Sequence, residues 1–181
     1  MAPRIATAAA IERRAPGTPF IVLGDLLDTL AETLMSVQPK AYVEPAAPGV
    51  SGTIGEHVRH LLDHIGALVT ASPGDLLSYD HRQRGTAIET DVNVAVERIL
   101  HLMAIVERRS GRTLDDPIQV TSIVSASGEA VTGWSTLGRE LAFVVSHTIH
   151  HQAIIALLLA FQGVGVPERF GYAPSTPVSG R

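Results

Sequence analysis

The sequence predicts an all-α domain, a four-helix bundle with a long connection between its third and fourth helices that carries the pattern of a short β-hairpin. Three observations lead there. Apolar residues recur with the helical period in four separate segments. Each segment is bounded by cap residues, proline or glycine. Between the third and fourth, the period drops to two.

The first helix starts at Thr18-Pro19, a cap residue followed by proline at the first helical position. Phe20, Leu23, Leu26, Leu27, Leu30, Leu34 and Val37 then mark one face to about residue 38, where Pro39 stops it. Residues 39–52, with Pro39, Pro45, Pro48, Gly49 and Gly52, read as loop. Thr53-Ile-Gly-Glu56 is a capping box and opens the second helix, which runs to about Ser72 before Pro73-Gly74. Residues 75–85 are polar and irregular. Thr86-Ala-Ile-Glu89 is a second capping box and leads into the third helix, with Val92, Val96, Ile99, Leu100, Met103 and Val106 on one stripe and Gly111 as its stop.

Residues 113–133 alternate. Ile118, Val120, Ser122 and Val124 fall on one side and Gln119, Thr121, Ile123 and Ser125 on the other, ahead of a Ser127-Gly128 turn. Ser135 caps the fourth helix, which reaches about Gln162, with Gly163 as its stop. The tail from residue 164 holds Pro167, Pro174 and Pro177 and no period. Residues 1–16, rich in Ala and Arg, read as a flexible N-terminus without the apolar core of a secretory signal. Residues 17–181 read as one bundle with a C-terminal extension.

Composition narrows the function. The chain of 181 residues has no Cys, which removes thiolate metal sites, cysteine nucleophiles and disulfides. That fits a reducing compartment, and the expected location is the cytoplasm. A net charge of −4 and 4% aromatics argue against a nucleic-acid partner. The fourth helix is uncharged from Leu141 through Phe161, as long as a membrane span of about 20 residues. Its centre, however, carries Ser146, His147, Thr148, His150, His151 and Gln152, which are costly in lipid. The expectation is a buried bundle helix and no membrane. The apolar stripe of the first helix leaves room for a second copy, a homodimer.

Six of the 8 histidines fall in two groups. His57, His60 and His64 share one face of the second helix, and His147, His150 and His151 one face of the fourth. His147 and His151 stand one turn apart, so their imidazoles reach one point, the spacing of helical metal sites. No Glu follows His147, so the base of a His-Glu-x-x-His protease is missing. Two such groups on two core helices point to a divalent metal held by three imidazoles, with one position open. Zinc or nickel comes first, with iron or manganese as alternatives. Isolated histidines on apolar faces are commonly satisfied core residues, and a bundle that packs them by hydrogen bonds is the competing reading.

With these residues in place, the chain resembles the DinB-like, or YfiT-like, family from about residue 18 to 176. The resemblance implies a four-helix bundle with a metal on three histidines, one from the second helix and a His-x-x-x-His pair from the last. The first ligand of the family follows a helix-opening Ser or Thr by seven residues. That offset from Thr53 selects His60, with His57 and then His64 as alternatives, and the pair is His147 and His151. The segment Tyr79 to Thr86 with Glu89 and Asp91, Arg139-Glu140, and Phe170 to Thr176 also look like a subgroup of that family. On physical grounds Arg82 or Arg84 suits an anionic group of a substrate or cofactor. Asp80 or Glu140 suits the orientation of a metal-held imidazole. His57 and His150 are candidate proton shuttles in catalysis.

Characterised relatives include thiol-dependent S-transferases and isomerases that use thiols such as bacillithiol or mycothiol, and the metal-binding part of sulfoxide synthases. The resemblance therefore implies a metal-dependent enzyme acting on a small molecule. A thiol-dependent S-transferase comes first and a metal-dependent hydrolase second, and a non-catalytic metal- or ligand-binding bundle stands beside both. Trp134 is expected to plug the bundle end or to wall the substrate pocket.

Overall fold

Four long helices carry the fold of this computed structural model, which describes residues 18–47, 49–80 and 83–177. They are α1 (Thr18–Met35), α3 (Ile54–Thr70), α5 (Val92–Arg109) and α6 (Leu137–Phe161), joined by the short helices α2 (Pro39–Val43) and α4 (Ala87–Thr90). Helix α1 packs on α5 and α6, and α3 packs on the same two. The shared core holds Leu23, Leu27, Leu30 and Leu34 of α1, Leu61 and Ile65 of α3, Ile99 and Leu102 of α5, and Leu141 and Val144 of α6. The expected N-terminal segment, residues 1–16, lies outside the described residues.

The molecule is mostly helical but not all-α. A three-stranded sheet is built from β1 (Leu76–Ser78), β2 (Pro117–Ile123) and β3 (Ala130–Thr136), in that spatial order. Strands β2 and β3 form the expected antiparallel hairpin, with Val120 opposite Gly133. Strand β1 pairs parallel to β2, Leu77 opposite Val120, in a segment whose sequence reads as irregular. Three residues are too few to display a period. What holds β1 is the burial of Leu77 and, from β2, of Ile118.

Helix boundaries depart from the expectation where a cap side chain has a competing partner. Both halves of the Thr53 capping box form: Glu56 N donates to Thr53 Oγ1 at 3.1 Å and Thr53 N to Glu56 Oε2 at 2.9 Å. The second box fails. Glu89 instead accepts from Gly85 N at 2.9 Å and pairs with Arg59. Thr86 therefore makes no side-chain cap, α4 ends after one turn, and Asp91 caps α5 by accepting from Asn93 N at 2.8 Å. Ser135 likewise does not cap the last helix, because its hydroxyl donates to Glu140 at 2.6 Å; Thr136 caps it. Pro39 does more than end the first helix, since it opens α2.

The aperiodic tail is packed. Phe170 is buried, and Gly171 (φ +76°) lies so close to α6 that a Cβ there would fall 2.5 Å from the Ala153 backbone. By length and composition α6 is apolar enough to cross a membrane. Within the fold it packs on α3 and α1, and its buried Gln152 donates to the Leu26 carbonyl at 2.8 Å.

Candidate metal centre

Helices α3 and α6 are in contact, and each turns its histidine face toward the other. His60 Nε2 and His147 Nε2 lie 3.1 Å apart. Donor atoms of His60, His64 and His147 all fall within 4.8 Å of one another. The His64 ring has a defined tautomer. Its Nδ1 lies 3.0 Å from the His60 carbonyl oxygen, which can only accept. The proton is thus on Nδ1, which leaves Nε2 as the ring's metal-facing atom. A hydrogen bond of this kind from the second nitrogen is how ligand imidazoles are oriented.

His151 packs against both central rings, its centroid 4.5 Å from that of His60 and 4.5 Å from that of His147. Its Nδ1 faces His57 Nδ1 at 3.1 Å. Burial, with the neighbouring His147, His57, His150 and His64, lowers its pKa to about 3. Burial also lowers that of His57. Both rings are neutral at physiological pH, the state in which imidazole ligates.

An aromatic sleeve holds the cluster from the sheet side. Tyr79, just past β1, stacks on His64 with centroids 5.1 Å apart and planes 4° apart. Phe143 stacks on His147 at 5.7 Å and packs against Tyr79 at 5.3 Å. The Tyr79 hydroxyl donates to Glu140 Oε2 at 2.9 Å, and Ser135 donates to Oε1 of the same buried carboxylate. Burial and the Glu140 charge push the Tyr79 pKa far above the ordinary tyrosine range, so the hydroxyl stays a donor. The Arg139 guanidinium lies 5.9 Å over the Phe143 ring.

Of the residues expected from sequence, His60 and His147 meet, with His64 as the third donor within reach and His151 against both rings. His57 touches the cluster through His151. His150 is exposed, its ring 5.3 Å from that of His151. Arg84 stands exposed on the turn before α4, and Arg82 lies outside the described residues. Asp80 accepts from Ile123 N at 2.8 Å and ties β2. Glu140 is linked to the histidines through Tyr79, whose ring stacks on His64. Trp134 is 72% exposed on β3 and does not plug the bundle. The role of Phe143 was not anticipated, although its place one turn before His147 is a readable signal.

A helical fold with a buried-edge histidine cluster between two facing helices defines the class of helical proteins that can hold a metal on imidazoles. The donor set fits a borderline divalent ion. Residues 23–155 match the DinB superfamily, and the chain belongs to that superfamily. It is also similar to a protein of Rhizopus delemar named FK506-binding protein 5, with 37% identity over 102 residues. That match covers 56% of this chain and 26% of the relative, so the chain spans about a quarter of that protein's length.

Proposed function

We propose that this chain is a metal-dependent enzyme of the DinB-like four-helix-bundle kind, a transferase that uses a low-molecular-weight thiol on a small-molecule substrate. The observation that carries the reading is the convergence of His60, His64 and His147 between α3 and α6 in a chain of this superfamily. His60 and His147, whose Nε2 atoms face each other, are the first two proposed ligands, with His57 as the alternative to His60. The third position has two claimants: His64 by donor distance, and His151 by its one-turn spacing from His147.

A divalent ion there, zinc or nickel before iron or manganese, supplies Lewis acidity toward a thiol or a water molecule. The protein's own groups do the rest. Tyr79, Phe143 and Glu140 hold the rings of His64 and His147 in place. His57 and the exposed His150 are the proposed proton carriers between the cluster and solvent. Arg84 and Arg82 are the proposed partners of an anionic group on the thiol or substrate. Because the same Lewis acidity acts on water, hydrolysis is the second reading.

A cytoplasmic location is part of the proposal and is supported by the Cys-free composition. So is a homodimer, supported by the exposed Ile21 and Met35 of α1 and the apolar groove that Phe20, Ile21, Leu100 and Met103 line between α1 and α5.

The test is element-resolved metal analysis of untagged protein. Near-stoichiometric metal is expected in wild type and little in His60→Ala or His147→Ala. Comparison of His64→Ala with His151→Ala identifies the third ligand. Turnover with bacillithiol, mycothiol or glutathione, lost with the metal, would establish the transferase. Failure to retain any ion after reconstitution with zinc or nickel sinks the enzyme reading.

A further inference from the structure

The sheet ends in an open edge. Strand β3 is its outer strand, and among the described residues no fourth strand lies beside it. Its pairing with β2 runs from Ala130 to Thr136 without a bulge. Just past the two ends of that ladder, Val124 N donates to the Glu129 carbonyl at 2.7 Å and Leu137 N to the Asp116 carbonyl at 2.9 Å. These two bonds fix the phase. Val131, Gly133 and Ser135 turn their backbone groups toward β2, and Ala130, Thr132 and Trp134 turn theirs outward. The residues from Ala130 through Trp134 are all exposed.

Soluble proteins guard such edges with charge, proline or a bulge. Ala130–Thr136 contains no charged residue and no proline. It also contains a glycine that its own chain does not call for. Gly133 has no positive φ, and among the described residues a Cβ on it would meet nothing within 4 Å. Glycine inside a strand weakens it, and it marks places where another backbone comes close.

We propose that β3 pairs antiparallel with β3 of a second copy of this chain, about a twofold axis at Thr132, so that the two sheets become one. Only outward-turned residues can exchange backbone bonds with a partner strand, and this register engages Ala130, Thr132 and Trp134 together. The strand is complementary to itself there. Ala130 falls opposite the partner's Trp134, and Val131 opposite the partner's Gly133, so each large side chain meets a small one. The two Thr132 side chains face each other on the axis, a favourable cross-strand pair. No like charges meet, because the strand carries none. The contact is separate from the groove between α1 and α5, so it stands or falls apart from the helical dimer proposed above. One strand edge covers little of the roughly 1,600 Å² of a standard interface, so the pairing is expected to depend on concentration.

The chain has no cysteine, so a single introduced thiol reports the register. Opposed residues that exchange bonds in an antiparallel pair have Cα atoms about 5.5 Å apart, within reach of a disulfide. Thr132→Cys in the full chain is therefore expected to form a covalent dimer under mild oxidation. Ala130→Cys is the control: in this register its two copies stand four residues apart along the ladder, roughly 13 Å, and are expected not to cross-link. Thr132→Lys sets like charges face to face on the axis. It is expected to raise the dimer Kd roughly tenfold in sedimentation over a range of concentrations. Circular dichroism checks that each variant folds. Ile21→Lys, in the helical groove, is expected to leave the Thr132→Cys cross-link intact. Equal cross-linking of Thr132→Cys and Ala130→Cys overturns the proposal. A dimer that survives Thr132→Lys and is lost in Ile21→Lys overturns it too, and leaves the helical dimer standing. A wild type that is monomeric throughout, with no cross-link from Thr132→Cys, overturns both.

Discussion

Burial among other imidazoles sets the acid behaviour of His151. Its pKa of about 3 in the folded chain lies below the 6.5 of an ordinary histidine. The unfolded chain therefore binds the extra proton first, and stability rises with pH across that interval. Stability is complete above pH 6.5 and falls as the pH drops toward 3. Urea unfolding of the metal-free protein at pH 7.5, 6 and 5 should show a loss of up to about 2 kcal/mol at pH 5 from this residue. His151→Phe should flatten the slope, and an unchanged slope would refute the assignment. A second test concerns Glu140. Tyr79→Phe removes one of the two hydroxyls on this buried carboxylate and should cost about 1–3 kcal/mol in thermal or urea unfolding. It should also weaken metal retention, because the ring stacked on His64 loses its hydroxyl tether to Glu140.

At the scale of elements, α3 is where local sequence and tertiary packing agree. Thr53→Ala removes the hydroxyl that accepts from Glu56 N and should destabilise the fold by about 1 kcal/mol, measured by thermal unfolding under circular dichroism. Gly55→Ala should be worse, about 3 kcal/mol or more, since its methyl would collide with the Glu89 carbonyl and the Tyr42 ring. The two glutamates of the two capping boxes explain how much of the fold was legible. Glu56 is on an exposed first turn and does what its spacing implies. Glu89 stands against Arg59, a buried guanidinium from another helix that also bonds Asp63 at 2.8 Å, and is drawn off its own helix end. Caps with no distant competitor can be read from sequence; caps that face a buried charge cannot. Strand β1 escaped for a related reason, because its partner lies 43 residues away on β2.

Across the whole molecule, the histidine face of each helix was legible because helical period is local. The meeting of α3 with α6 followed from the family resemblance and from the two faces together. The choice among His57, His60 and His64 was not, because three residues on one face differ only in their height along the partner helix. Their rung order, with His60 opposite His147 and His57 opposite His151, is a property of the packed pair. If the ion couples α3 to α6, chelation should loosen the entire circuit of helices. With ligand at a hundred times its Kd, linkage gives about 2.7 kcal/mol. A chelator should therefore lower the Tm of metal-loaded wild type by several degrees and leave His60→Ala unmoved.

One surface feature bears on how all of these measurements are made. Trp134 is the chain's single tryptophan and stands 72% exposed on the outer strand of the hairpin, away from the helical core. Its indole is already hydrated in the native state, so its emission is expected to be red-shifted before any denaturant is added. Optical signals from it would report the fraying of a peripheral ribbon, and the helices could melt with little change in colour. The convenient fluorophore of this protein is thus a poor witness to its global unfolding. The same isolation makes it a clean local probe, free of background, for anything that settles on that ribbon.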